Sequence, residues 1–398
     1  MKLLAVSTWF PSPPDNGARL RAFHLLRELG RHHDIALLSF SDAGQTSAEQ
    51  TAPLLEFCRS VDTVPRGAFH RGSLTPRGLL SAVPRAYVQG FSADMQARVR
   101  GAISGQHAAL AFGITAALYF RSIRALPAVF EEAEVTVIRD AAASESRALP
   151  RLRRSLTWFK YSRFVRDLSR RFDRTTVVSD NERALLVGMG CDPRRVAVVP
   201  NGVDAGDLSW PAGPRRDRLV YPGALTFAAN ADAVRWFLGE ILPVIHRARP
   251  DVDVWVTGDS GGVTAADLPP ANRLTLTGRL ADVRPAIAES MICVVPLRIG
   301  GGTRVKILQA MALGTPVLST SKGAEGLDVV PERHLLIGDS PEVFASQALR
   351  LLADAGLRSR ITAEARALVR DRYTWAHSGA RLNAVVGEAV SEWKAGRA

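Results

Sequence analysis

Residues 294–320 read VVPLRIGGGTRVKILQAMALGTPVLST. The apolar run 291–296 predicts a buried strand that leads straight into three glycines, Gly300, Gly301 and Gly302. Thr303, Arg304 and Lys306 follow, then a helix-like stretch, ILQAMA, that stops at Gly314, and a second apolar strand from Pro316. Glycine lets a backbone approach a ligand closely and adopt positive φ. The free N–H groups at the start of the next helix attract anions, and Arg304 and Lys306 add full positive charge. Strand, glycine loop, basic pair and helix make a candidate phosphate cradle. The plainer alternative is an ordinary strand-to-helix turn with surface Arg and Lys, since a fold alone carries no function. The dinucleotide fingerprint lacks its later glycine here, and the Gly-Lys-Ser/Thr of a P-loop is absent. A nucleoside diphosphate held in another way fits the pattern.

Outward from this segment, strand-like apolar runs alternate with amphipathic stretches along the whole chain of 398 residues. Residues 2–7 and 35–40 read as strands around a helix at 18–29; 108–112, 128–131, 175–179 and 196–199 read as further strands. Residues 200–217, PNGVDAGDLSWPAGPRRD, change the texture of the chain and mark a boundary. Beyond it, 219–221, 252–257, 274–277, 292–295 and 316–320 read as strands, and 232–247, 342–354, 357–370 and 374–394 as helices. Such alternation predicts an α/β protein of two doubly wound, Rossmann-like parallel sheets. The expected domains are 1–200 and 201–375, with a helical tail at 376–398. Ligands gather at the carboxyl ends of strands in such sheets, so a cleft between the domains is expected.

The signature segment resembles the carboxy-terminal motif of retaining glycosyltransferases with the GT-B fold, family 4 or "group 1". The likeness is to the bacterial branch that reads Gly-Gly-Gly-Thr-Arg-x-Lys, then a helix with Ala-Met-Ala and a Gly-x-Pro-Val strand. Other segments agree in order: PSPPDNGAR (11–19), VVSDNERALL (177–186), VVPNGVD (198–204), LVYPGALTFAANADAVRWF (219–237) and LTGRLADVRPAIAES (276–290). The resemblance implies transfer of a hexose-type sugar, with retention and without a metal or cofactor. The implied donor is a uridine or guanosine diphosphate sugar, and the acceptor a glycan or lipid-linked molecule of bacterial cell-surface synthesis. It assigns Arg304 and Lys306 to the diphosphate, and Gly17, Gly223, Arg279, Gly301, Gly302, Thr303, Gln309 and Glu325 to the nucleotide sugar. It also implies that the carboxy-terminal helix returns to the first domain.

The chain departs from the family pattern at three points. Gly301 and Gln309 stand where much of the family has two glutamates, and Ala133 where many members have a histidine. Gln309 can still hydrogen-bond a ribose hydroxyl without carrying charge. In VFEEAEV (129–135), Glu131, Glu132 and Glu134 end a predicted strand. Glu132 is the candidate to orient or deprotonate an acceptor hydroxyl, a solvated acidic turn being the alternative. At Gly17, close approach to the donor competes with a simpler role for Asp15 and Asn16 as helix caps.

Composition limits the remaining classes. No apolar run reaches the eighteen or so residues of a membrane span, and MKLLAVSTWFPSPP reads as a first buried strand, not a leader. Cys58, Cys191 and Cys293 are far apart, with neither disulfide nor metal-ligand spacing, which fits a reducing cytoplasm. GDSGG (258–262) matches a serine-protease loop, but it follows an apolar strand and no Ala-Ala-His-Cys segment supplies a base. The net charge of +12 favours anionic partners, though no nucleic-acid module is present. Residues 147–174 hold nine arginines and a lysine interleaved with Leu and Phe. That stretch suits either peripheral attachment to an anionic membrane or packing on its own domain. Two rival functions remain: a sugar-nucleotide epimerase of the same fold, and a binding-only homologue.

Overall fold

In β1 (Lys2–Ser7), Leu3 and Ala5 point into one apolar cluster and Leu4 and Val6 into another. This period-two division, with both faces buried, is what a parallel sheet covered by helices on both sides requires. The computed structural model describes residues 1–41, 46–66, 84, 91–143, 147–211, 213–302 and 304–397. Its chain divides into two compact units, residues 1–200 with 375–398, and residues 201–374.

In the first unit, β2 (Asp34–Ser41), β3 (Ser60–Pro65), β4 (Ala108–Phe112), β5 (Ala128–Glu131), β6 (Arg174–Val177) and β7 (Val196–Val198) join β1 in one sheet. Its order is β3-β2-β1-β4-β5-β6-β7, and every pairing is parallel. The order reverses between β1 and β4. Helix Gly17–Gly30 starts at Asn16, whose side chain accepts the Arg19 N–H. It buries Leu25, Leu26 and Leu29 against the sheet. The final helix, Trp375–Ala395, packs on it: Trp375 stacks on His24 at 4.9 Å between ring centres. Gly379 leaves room for Glu28, since a Cβ there would lie 2.3 Å from the Glu28 Cβ. Arg174 holds the far end through Glu392, with Nη1 2.6 Å from the carboxylate.

The second unit carries β8 (Arg216–Pro222), β9 (Asp253–Thr257), β10 (Leu274–Gly278), β11 (Ser290–Val295), β12 (Val317–Ser319) and β13 (Leu336–Ile337). The order is β10-β9-β8-β11-β12-β13, again all parallel, with the reversal between β8 and β11. Helix Val305–Ala312 buries Ile307, Leu308 and Met311 in the core of this unit. The two doubly wound sheets expected from the sequence are therefore present. The short strands β3 and β13 are additions to the sequence reading.

Helix Ala148–Ser169 is the segment whose apolar residues divide. Phe164, Val165 and Leu168 are buried in the first unit, whereas Leu149, Leu152, Leu156 and Phe159 are exposed, Leu149 by 81%. The apolar positions of 147–174 thus do not form one face. Phe172 lies beyond the helix and is fully buried.

Candidate functional site

Doubly wound sheets open a crevice where the strand order reverses, outside the carboxyl ends of the strands. In the second unit that point is shared by β8 and β11. Gly223 follows β8, and residues 298–304 follow β11. Gly300 and Gly302 have φ of 111° and 72°, a left-handed backbone that favours glycine. Arg304 caps helix Val305–Ala312, and its Nη1 donates to the Gly302 carbonyl at 2.8 Å. Gly301 lies between, half-buried; Thr303 is outside the described residues.

Lys306 occupies the first turn of that helix and reaches back over β8. Its Nζ donates to the Tyr221 hydroxyl at 3.0 Å and to Asn230 Oδ1 at 3.2 Å. Tyr221 in turn donates to Asn230 Oδ1 at 2.7 Å, and Asn230 Nδ2 donates to the Ala224 carbonyl at 2.8 Å. Gly223 supplies the space: a Cβ there would sit 2.6 Å from Lys306 Nζ. The residue as a whole is half-buried, but its ammonium lies deep among protein atoms. That burial lowers its pKa to about 7, Arg304 lowering it further and Cys293 opposing. No carboxylate is among its hydrogen-bond partners at Tyr221 and Asn230. Among the described residues, its hydrogen-bond partners are these two neutral groups.

One turn on, Gln309 Nε2 donates to Asp207 Oδ2 at 3.4 Å. Burial pushes the Asp207 carboxyl up to about 6, with the Gln309 hydrogen bond opposing and Asp204 adding to the rise. Arg284 stands 3.9 Å from the same carboxylate. Arg279 is exposed just after Gly278, whose φ is 66°. Glu325 pairs with Lys322 at the end of a short helix after β12. Gly258, Gly261 and Gly262 have positive φ in the loop between β9 and a short 3-10 turn.

In the first unit the reversal lies between β1 and β4, and a cavity of about 250 Å³ opens there. Thr8, Trp9, Gly113, Glu132, Glu134 and Tyr161 are among its lining residues. Glu132 has φ of 63°, and its N–H donates to Thr176 Oγ1 at 3.1 Å. The Thr176 carbonyl accepts from Ala133, whose methyl is buried in the core. Beneath the turn, Arg21 Nε donates to Glu131 at 2.8 Å and its Nη2 to the Val199 carbonyl at 2.9 Å, all buried. Burial raises the Glu132 carboxyl to about 8; the Arg21 charge opposes, and Glu131, Glu134 and Glu182 add to the rise. Gly17 opens helix Gly17–Gly30 and is exposed; a Cβ at that position would meet nothing within 4 Å. Nothing in the fold itself demands glycine there.

The structure therefore gathers Gly223, Gly302, Arg304 and Lys306 at one switch point. Gln309 lies a turn further along the same helix, and Glu132 and Gly17 belong to the other unit. Tyr221, Arg21, Thr176 and Asp207 are further candidates beside these residues. Each is brought in by tertiary pairing, and only the polar side chains within apolar or loop stretches signalled them.

Two doubly wound parallel α/β units, the second with Arg304 and Lys306 at its switch point, are the architecture of the GT-B class. The family model described as Glycosyltransferase Family 4 matches residues 15–207, and the model described as Glycosyl transferases group 1 matches residues 216–354. The chain belongs to these family 4, group 1 glycosyltransferases, with the GT-B fold. A 44.6 kDa protein of the Klebsiella pneumoniae cps region is 22% identical over 232 residues, 54% of this chain and 56% of that protein. YtcC of Bacillus subtilis (strain 168), described as a glycosyltransferase, is 38% identical over 80 residues, 19% of this chain and 20% of that protein. The chain thus matches about half the length of the first of these relatives and a fifth of the second. Among solved structures, Anabaena HepE in complex with UDP and glucose superposes with a TM-score of 0.68 at 14% identity, covering 98% of this chain and 100% of HepE. Sucrose-phosphate synthase from Thermosynechococcus elongatus gives 0.67 at 16%, covering 98% and 100%. At these identities the likeness establishes the fold.

Proposed function

We propose that this chain transfers a hexose-type sugar, with retention, from a nucleoside diphosphate sugar to a glycan or lipid-linked acceptor. The reading rests above all on Lys306, a deep ammonium whose partners among the described residues, Tyr221 and Asn230, are neutral, beside Arg304 and a left-handed glycine loop. In the reaction, the bond from the anomeric carbon to the diphosphate oxygen breaks, and its electron pair leaves with the diphosphate. The acceptor oxygen bonds to the same carbon, and its proton passes to the departing phosphate. Arg304, Lys306 and the first N–H groups of helix Val305–Ala312 stabilise the growing charge. Fixed cations in that position make a divalent metal unnecessary for this step. Gly17, Gly223, Arg279, Gly301, Gly302, Thr303, Gln309 and Glu325 contact the donor in this reading, and Glu132 orients the acceptor. HepE was solved with UDP, so uridine diphosphate sugars are the first donors to test.

The acceptor belongs to bacterial cell-surface polysaccharide or glycolipid synthesis, presented at the cytoplasmic face of the membrane. Among the described residues no helix is long and apolar enough to cross a membrane. In this reading attachment is peripheral, through the exposed half of helix Ala148–Ser169.

The test is the double change Arg304→Ala with Lys306→Ala, assayed for donor hydrolysis and transfer. Turnover should fall by about 10²-fold or more, the usual loss when such stabilisation is removed. Turnover within about threefold of wild type overturns the charge argument. NMR of the nucleotide sugar incubated without acceptor separates the epimerase, which would produce an epimer. UDP binding without transfer to any acceptor fraction would favour the binding-only homologue.

A further inference from the structure

We propose that a second cavity of the first unit, at the amino ends of β6 and β7, binds a small phosphate monoester such as a polyol or sugar phosphate. It lies at the opposite end of the strands from the switch point between β1 and β4. At about 340 Å³ it falls within the ~300–1,000 Å³ usual for small-molecule sites. Local turns of the chain build it. Helix Ala148–Ser169 ends on it, and helix Asp180–Gly188 ends beside it. Gly190, with φ of 92°, then turns the chain toward β7. The Thr175 N–H donates to the Arg195 carbonyl at 2.8 Å and ties the two strand ends together. Ser169, Thr175 and Cys191 are buried lining residues, whereas Arg170, Asp192 and Arg195 are exposed ones.

The lining is rich in donors and short of acceptors. Ser169 is 5% exposed, and among the described residues its hydroxyl has only the Cys191 thiol beside it, a weak partner. Burial raises that thiol's pKa, against Ser169, Arg170 and Arg166, so it stays protonated. A buried hydroxyl in this condition is costly, and an entering oxyanion relieves it. Arg170 Nη2 donates to the Gly190 carbonyl at a long 3.4 Å, and its Nη1 lies 4.0 Å from Asp167. The Arg195 guanidinium makes no hydrogen bond or ion pair among the described residues; it acts at a distance on Glu392, which Arg174 holds.

Two more cations stand behind the wall. A Cβ on Gly190 would lie 3.5 Å from the Arg166 side chain, and Arg183 donates to the Pro193 and Val196 carbonyls. Against these four guanidinium groups stand Asp167, shared by Arg166 and Arg170, and Asp192, whose Oδ1 accepts the Arg194 N–H at 2.9 Å. The carboxyl ends of the two helices would repel an anion, but main-chain N–H groups cap them: Arg170 on Arg166 and Leu168, and Cys191 on Leu186. A phosphate monoester carries about −1.5 to −2 at neutral pH and pairs with guanidinium forks and hydroxyls. The space beyond the phosphate holds its carbon skeleton, one hydroxyl of which can donate to Asp192. None of the described lining residues is aromatic, so a nucleotide base has no ring to stack on.

The experiment is calorimetry on the full chain with glycerol 3-phosphate, glucose 6-phosphate, inorganic phosphate and uncharged glucose. It is run on wild type and on Arg304→Ala with Lys306→Ala, which removes the cations of the second unit. At least one ester should bind in both, more tightly than inorganic phosphate, and glucose should not bind. Arg170→Gln with Arg195→Gln should weaken the ester by about tenfold or more, and Ser169→Ala by about threefold or more. Arg170→Lys with Arg195→Lys, which keeps the charge but not the fork, should weaken it less. Melting temperatures of the unliganded variants check that they fold. The proposal is overturned if no ester binds, if inorganic phosphate binds as tightly, or if the arginine variants bind like wild type. Binding lost with Arg304 and Lys306 would belong to the second unit, and binding indifferent to Ser169→Ala would be a surface contact of the arginines; either result overturns it too.

Discussion

Lys306 Nζ lies 3.0 Å from the hydroxyl of Tyr221 and 4.1 Å from the centre of its ring. An ammonium held against a phenol and an amide has given up water without gaining a counter-charge, which is why burial brings its pKa to about 7. A diphosphate arriving beside it restores the charged form and draws a proton from solvent. The affinity for UDP should therefore be highest below pH 7 and decline as pH rises above it, by up to about tenfold per unit. Calorimetry in two buffers of different ionisation enthalpy at pH 8 should report uptake of a fraction of a proton. The uptake should vanish in Lys306→Met. Equal heats in both buffers with wild type would reject the coupling.

Gln309 and Asp207 bear on a second prediction. The family resemblance suggests that Gln309→Glu restores a ribose contact and raises donor affinity. The structure argues otherwise, since the new carboxylate would lie near 3.4 Å from Asp207, whose own carboxyl is already pushed up to about 6. Two carboxylates so close share a proton, and the pair's folded pKa rises further above the unfolded value. Stability from such a pair is present at low pH and lost as pH rises through the folded pKa. Each added unit corresponds to about 1.4 kcal/mol. Gln309→Glu should melt near wild type at pH 5 and several degrees lower at pH 8. Equal melting at pH 8, with tighter UDP binding, would favour the resemblance.

What could be read from the sequence followed the range of the interactions. The strand, glycine loop, basic pair and helix around residues 294–320 are local, and their spacing marked a candidate phosphate cradle. Lys306 was legible as a cation, but its pairing with Tyr221 and Asn230, 85 and 76 residues away, was not. The same holds for Arg21 on Glu131, 110 residues apart, and for Thr176 under the Glu132 turn. Leu and Phe interleaved with arginine marked residues 147–174, yet that pattern did not say that Phe164 and Leu168 are buried while Leu149 and Leu152 are not. Which of the two helix faces meets the unit is decided by tertiary packing.

Glu132 gives a third expectation. Its carboxyl, raised to about 8 by burial and by neighbouring carboxylates, stays protonated in the folded state over a range where the unfolded chain has released the proton. The stability it contributes is complete below the unfolded value of about 4.5 and is lost as pH rises through about 8. Glu132→Gln keeps the shape without the titration. The melting temperature of the variant minus that of wild type should increase from pH 5 to pH 8 by about 2 °C or more. A difference that stays flat with pH would show that Glu132 ionises normally.

The exposed half of helix Ala148–Ser169 supports the last prediction. Leu149, Leu152, Leu156 and Phe159 recur at spacings of three and four, so they share one stripe of the helix. Arg153, Lys160 and Arg163 flank or extend it, and Arg163 lies 5.6 Å from the Phe159 ring centre. An apolar stripe edged by cations fits the boundary of an anionic leaflet, where each basic residue contributes about 1 kcal/mol and the attraction fades over a Debye length. Liposome co-sedimentation should require anionic lipid and weaken as salt rises. Reversing charge at Arg153, Arg154 and Lys160 should raise the lipid concentration for half-binding by at least about tenfold, without altering donor hydrolysis. Leu152→Ser with Phe159→Ser should weaken attachment in high salt as well, since that part of the binding is not screened. Equal recovery on neutral and anionic vesicles, or none on either, would retire the membrane reading and leave the transferase assignment untouched.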